Sequence, residues 1–135
     1  MRVLFWYCSR FHWVPTVKTL EDAPASTAAE ARDAVVAFIH VEPADVVDGS
    51  PAQKKLLKNA KWLARKWETD TVVLHSFTHL GEVKADAGAA RELLERAAAR
   101  LEDVDYTALR TPYGYFNDLS MDAPGHPLAR IYKEF

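Results

Sequence analysis

The chain has 135 residues, 49% of them hydrophobic and 27% charged, with a formal net charge of −2. This is the make-up of one ordinary globular domain (residues 1–135) with a core of its own, and it gives no bulk electrostatic pull toward nucleic acid. No apolar run approaches the ~20 residues of a membrane span; the opening MRVLFWYCSR lacks a cleavable leader pattern; and the single cysteine, Cys8, excludes an internal disulfide, so a cytoplasmic protein is expected.

In chain order, residues 2–7 (RVLFWY) form a continuous apolar and aromatic run, as a buried strand does. Residues 14–20 are expected to pair with it across SRFHW as a hairpin. Residues 21–30 (EDAPASTAAE) read as a loop broken by Pro24. Residues 34–41 (AVVAFIHV) read as a second buried strand. Ser50-Pro51-Ala52-Gln53 predicts a capping box with proline at the first helical position. The helix it opens has an apolar stripe of Leu56, Ala60, Leu63 and Trp67, with Lys54, Lys58, Lys61 and Arg65 on the opposite face.

Residues 71–77 (TVVLHSF) predict a third strand. Residues 86–101 predict a second helix with Ala90, Leu94, Ala97 and Leu101 inward and Arg91–Glu95 and Glu92–Arg96 as exposed pairs. Residues 104–109 and 115–120 predict two more strands. Strands separated by helices imply an α/β layer with a partly parallel sheet.

Between Ser50 and Trp67 there are six basic residues and no acid. Two readings are open: a solvated helix face, or a phosphate-binding footprint on a mildly acidic protein. His75 and His79 have H-x-x-x-H spacing, but they leave a strand, lack a glutamate between them and have no cysteine nearby. No metal site is expected there. Nucleotide-loop and nucleophile-elbow signatures are absent. Cys8, at the end of an apolar strand, reads as a buried structural thiol.

The richest stretch is residues 111–130, TPYGYFNDLSMDAPGHPLAR, together with HSFTHLGE at residues 75–82. The second follows a strand and precedes a helix, where open α/β sheets place ligand crevices. His79 and His126 are candidate site histidines or satisfied structural ones. Tyr113, Tyr115 and Phe116 could stack on a base or fill core.

The order MRVLF, then VAFIHVE (residues 36–42), HSFTHLGE, and TPYGYF with GHPLAR resembles the editing domain of archaeal threonyl-tRNA synthetase, almost end to end. The resemblance implies a D-aminoacyl-tRNA deacylase-like fold: α/β, a mixed β-sheet with two main helices. It implies a homodimer without metal or cofactor that hydrolyses serine wrongly attached to threonine tRNA, so tRNA is the expected partner, with a threonyl-tRNA synthetase as a further one. Val41 and Glu42 match the strand end bordering the substrate. Phe77, Thr78 and His79 match the segment whose main chain and histidine hold the aminoacyl group. Tyr115 and Phe116 match the aromatic pair beside the terminal adenosine, and Gly125, His126 and Pro127 match the GHPL turn. Lys54, Lys58, Lys61 and Arg65 are the expected tRNA phosphate contacts.

Two positions depart from that pattern. Asn117 stands where the family has lysine, and Arg130 where it has glutamate. With His79 these are the candidate catalytic positions. Asn117 can donate to an oxyanion but brings no charge; Arg130 reverses one. The alternative to a trans-editing deacylase is therefore a catalytically silent module that retains the pocket and binds tRNA ends, nucleotides or a synthetase.

Overall fold

The run that starts at Arg2 does not turn back at SRFHW. In the computed structural model, which describes residues 1–135, it continues as one strand, β1 (Arg2–Lys18). Pairing with β2 (Ala29–His40) passes through the expected turn, with Arg10 opposite Arg32 and Phe11 opposite Ala31. The polar residues there belong to a strand alternation: Phe11 and Trp13 are buried, while Arg10 and His12 between them are only half-buried. Val14 and Val17 pair with β5 (Tyr115–Asp122), so the expected hairpin is replaced by a strand long enough to hold several partners.

β1 is antiparallel to β2 on one edge. Its other edge carries β6 (Arg130–Glu134) along Arg2–Trp6 and β5 along Arg10–Lys18. From β2 the chain crosses through α1 (Ala52–Lys66) to β3 (Thr71–Ser76), then through α2 (Ala87–Glu102) to β4 (Thr107–Arg110). β2, β3 and β4 are parallel, giving the order β4-β3-β2-β1-β5 with β6 beside β1. The expected mixed sheet with two main helices is present. β6 is an addition to the predicted elements; only Ile131 of its five residues is even half-buried, so it carries almost no apolar pattern.

The two helices cover one face. Leu56, Ala60 and Leu63 of α1 and Leu94, Ala97 and Leu101 of α2 pack against Val35, Ala37 and Ile39. Truncating one such leucine to alanine costs about 2–5 kcal/mol. Trp67 caps α1 and is half-buried. The capping box does not form. Ser50 Oγ accepts from the Ala52 amide at 3.2 Å, while Gln53 reaches α2, donating to the Leu93 carbonyl and accepting from Arg100 at 2.8 Å. The helix consequently begins at Ala52 with Pro51 as its N-cap. α2 starts on Asp86, whose carboxylate accepts from the Ala89 amide at 3.0 Å. Its exposed pairs Arg91–Glu95 and Glu92–Arg96 form at 3.3 and 3.6 Å.

The other face has its own apolar cluster of Cys8, Phe11, Trp13, Val36, Phe38 and Val73, with Trp6, Leu119 and Met121 at its margin. Burial pushes the Cys8 thiol up to about 12, which makes it the inert structural thiol expected.

Candidate active site

Because β2, β3 and β4 are parallel, His40, Ser76 and Arg110 end at one edge of the molecule. The loops that leave those ends enclose a cavity of about 400 Å³, a size typical of small-molecule sites. Its walls include Phe77, Thr78 and His79 after β3, Lys84 ahead of α2, and the stretch from Thr111 to Asn117. Thr19 and Leu20, just beyond β1, close the remaining side.

The His79 loop is fastened from beneath. The Phe77 amide donates to the Ile39 carbonyl at 2.8 Å, and the Ala85 amide to Val41 at 2.9 Å. Between these points His40, 1% exposed, grips the loop with both ring nitrogens. Nδ1 accepts from the Leu80 amide at 3.2 Å, so the proton is on Nε2, which donates to the Val83 carbonyl at 2.8 Å. The Arg2 guanidinium adds a bond to the Leu80 carbonyl. Phe77 packs on Phe38 at 5.0 Å, and His79 meets Phe77 edge-on at 4.9 Å, leaving its imidazole exposed. The amides of Thr78 and His79 donate to no acceptor within the protein.

The opposite wall is pinned as firmly. Thr111 is buried, with its hydroxyl 2.8 Å from His75 Nδ1. Burial lowers His75 to about 4, so its ring is neutral at pH 7. Gly114 has φ +84°, and its carbonyl accepts from the Thr19 amide at 2.8 Å. A β-carbon there would stand 3.0 Å from that of Ala23. The Tyr115 hydroxyl donates to the Pro24 carbonyl at 2.6 Å. Burial raises the Tyr113 phenol, with the nearby Ser76 hydroxyl opposing the shift. Asn117 donates to the Tyr115 carbonyl at 3.4 Å, while its Oδ1 is shut off from solvent and has no partner.

The structure thus brings His79, Phe77, Thr78, Tyr115, Phe116 and Asn117 to one cavity. The other candidates do not line this cavity, although Glu42 shares a neighbouring one with Arg2 and His79. Val41 is core, and only its carbonyl reaches the His79 loop. Glu42 is bonded to the Met1 amine at 3.1 Å and lies 3.6 Å from Arg2. Burial would raise its carboxyl, but the Met1 ammonium and Arg2 hold it below the usual carboxylate range. Gly125 and His126 form a turn docked on Trp67. His126 Nδ1 accepts from the Leu128 amide at 3.0 Å, its ring meets Trp67 at 5.1 Å, and Trp67 Nε1 donates to the Leu128 carbonyl at 2.9 Å. Arg130 donates to the Pro124 carbonyl, and its guanidinium lies over Trp6. Lys54, Lys58 and Arg65 are exposed and Lys61 half-exposed on α1, none of them lining the cavity.

Sequence reasoning passed over His40, Lys84, Thr19 and Leu20. Only His40 left a signal: an imidazole closing an apolar strand needs partners for both nitrogens.

A family model of the archaea-specific editing domain of threonyl-tRNA synthetase matches residues 1–135. The chain belongs to this family. It is 28% identical over its whole length to the threonine–tRNA ligase of Pyrobaculum aerophilum, of which it covers 22%, and 27% identical over 97% of its length to that of Methanopyrus kandleri, of which it covers 21%. The chain therefore spans about a fifth of these curated relatives. Among solved structures, the c-Myc DNA unwinding element binding protein superposes with a TM-score of 0.72 at 7% identity, covering 100% of this chain and 99% of that one. That likeness is one of fold alone. The editing-domain fold is the mixed α/β, D-aminoacyl-tRNA deacylase-like architecture described above, and no helix in it is long and apolar enough to cross a membrane.

Proposed function

We propose that this editing domain hydrolyses the ester linking an amino acid to the 3′ end of tRNA in the cytoplasm, with Ser-tRNA(Thr) as its substrate. The observation that carries this reading is the pair of unengaged amides at Thr78 and His79 on a loop fixed by His40. Ester hydrolysis passes through an oxyanion, and preorganised main-chain donors stabilise it by roughly 10²–10³-fold in rate for each donor. His79 stands beside them, exposed enough to hold the attacking water. The Asn117 amide nitrogen, which donates only weakly to the Tyr115 carbonyl, offers a further donor to the oxyanion.

Tyr115 and Phe116 are read as the platform for the terminal adenosine. Rejecting threonine while accepting serine rests on one methyl group, worth about 1–3 kcal/mol by fit. The pinned walls suit this, because a wall that cannot retreat penalises the larger side chain. Val41 and Glu42 act from behind the His79 loop, and Gly125, His126 and Arg130 support the sheet margin. The basic face of α1 contacts tRNA phosphates, and a threonyl-tRNA synthetase is a natural associate. The apolar face around Trp6 and Met121 is read as the contact with a second copy.

The test is a deacylation panel. Release of serine from Ser-tRNA(Thr) faster than threonine from Thr-tRNA(Thr) is expected. Rates at buffer background for both, and for D-aminoacyl-tRNAs, would leave the silent binding module, which Asn117 in place of lysine favours. Asn117→Lys then shows whether the charge alone was missing. Light scattering gives the oligomeric state.

A further inference from the structure

A second cavity, of about 190 Å³, lies behind the first. Ser76, Thr111, Pro112, Tyr113 and Tyr115 border both, so the two are chambers on either side of one wall. The second chamber is too small for a whole small-molecule ligand, which takes about 300–1,000 Å³. It suits one flat part of a ligand that already occupies the first. Pro24, Pro112, Tyr113 and Tyr115 give it flat apolar surfaces, the kind on which nucleobases stack without regard to sequence. The Tyr115–Pro24 hydrogen bond holds two of them in place.

Its charge is as specific as its shape. Two guanidinium groups line it, those of Arg91 and Arg110. Arg91 is neutralised by Glu95 at 3.3 Å. Arg110, at the end of β4 and exposed, has neither a carboxylate partner nor a side-chain hydrogen bond. An unpaired planar guanidinium beside an apolar slot is the arrangement that takes a phosphodiester next to a stacked base.

We propose that the second chamber receives the nucleotide on the 5′ side of the terminal adenosine, with its base stacked against the surface that Pro24 and Tyr115 form together and its phosphodiester on Arg110. This rests on the reading of the first cavity as the aminoacyl-adenosine site. It assigns the shared wall a dividing role, one nucleotide on each side.

Two substrates with the same ester decide the matter: 3′-O-seryl-adenosine, which ends before the chamber, and a seryl-CCA trinucleotide, which enters it. Arg110→Met is expected to raise KM for seryl-CCA by about tenfold, equivalent to one charge-assisted hydrogen bond of roughly 1.4 kcal/mol, and to leave seryl-adenosine unchanged. The salt dependence of log kcat/KM for seryl-CCA should flatten by about 0.7, as for one phosphate neutralised on a single strand. Ser26→Trp, which fills the chamber from its exposed loop, should give the same split between substrates. Equal losses on both substrates, or none on either, would overturn the proposal. If the wild-type protein hydrolyses neither ester, the reading of the first cavity fails instead. Titration of cytidylyl-adenosine then decides the chamber alone: weaker binding in both variants upholds it, and unchanged binding removes it.

Discussion

The guanidinium of Arg130 lies 5.5 Å from the centre of the Trp6 ring and donates to the Pro124 carbonyl at 2.8 Å. β6 places Arg130 directly opposite Trp6 in the sheet, which fixes this side chain on the Trp6 face, outside the cavity. A cation that filled the aminoacyl space would block hydrolysis; one held over Trp6 does not. Arg130→Ala should therefore cost about 0.5–1 kcal/mol of stability and leave kcat within roughly threefold. Chemical denaturation and single-turnover deacylation measure the two. A hundredfold fall in kcat would return Arg130 to the reacting atoms.

His40 has no contact with the cavity, yet both of its nitrogens hold the loop that carries His79. Removing a doubly bonded buried imidazole leaves the Leu80 amide and Val83 carbonyl unpaired, about 1–3 kcal/mol for each orphaned group. His40→Ala should lower stability on that scale and speed hydrogen exchange at Leu80 and at Ala85. Where the protein remains folded, kcat should fall more than KM rises, because the loop amides lose their aim. Unchanged exchange at Leu80 would show that the loop stands without His40.

His75 gives the pH dependence its sign. Its folded value of about 4 is below the unfolded value of about 6.5, because burial favours the neutral ring. The unfolded chain then takes up the proton first. The stability His75 contributes is complete above pH 6.5 and is lost as pH falls toward 4, by about 3 kcal/mol in all. Urea titrations across pH 4–7 should show this slope, and His75→Gln should flatten it. An identical slope in the variant would assign the acid sensitivity to carboxylates alone.

Gly114 combines a left-handed φ of +84° with a missing β-carbon that would stand 3.0 Å from Ala23. Gly114→Ala should cost more than the ~1 kcal/mol lost when such a conformation is forced on alanine alone, since the 23–26 loop must also shift. Thermal unfolding reads the loss. A variant as stable as wild type would mean that the 112–115 turn can relax.

On α1, replacing Lys54, Lys58 and Lys61 with glutamine should weaken tRNA binding and flatten its salt dependence by about 0.7–0.9 for each phosphate that a lysine had neutralised. Filter binding over a range of salt gives the slope. Identical slopes would assign this face to solvent.

Several elements were legible because their patterns are local. The apolar run of β2, the stripe of α1 and the paired charges of α2 each announce themselves within one segment. The long β1 did not, because its polar middle is explained only by strands far away in sequence: Arg10 faces both Arg32 and Asp122. β6 was invisible for the same reason, being defined by its partner and not by its burial. In the site, the residues after β3 and before β5 could be read, since a loop at a parallel strand's carboxyl end has a known use. Gly125, His126 and Arg130 could not be placed, because a turn rich in glycine and proline looks alike whether it faces a ligand or, as here, Trp67.

β1 has a consequence for how the chain comes to fold. Its outer edge is occupied by β5 and β6, the last two strands in sequence, and its inner edge by β2. Contacts of such long separation are closed late and against loop entropy, so a sheet built on them assembles slowly. On a ribosome, β1 emerges ahead of β5 and β6 and must wait with one edge bare until nearly the whole domain has been made. During that interval β1 offers an apolar, unpaired edge that holding chaperones, or a second nascent copy, can reach before β5 and β6 do.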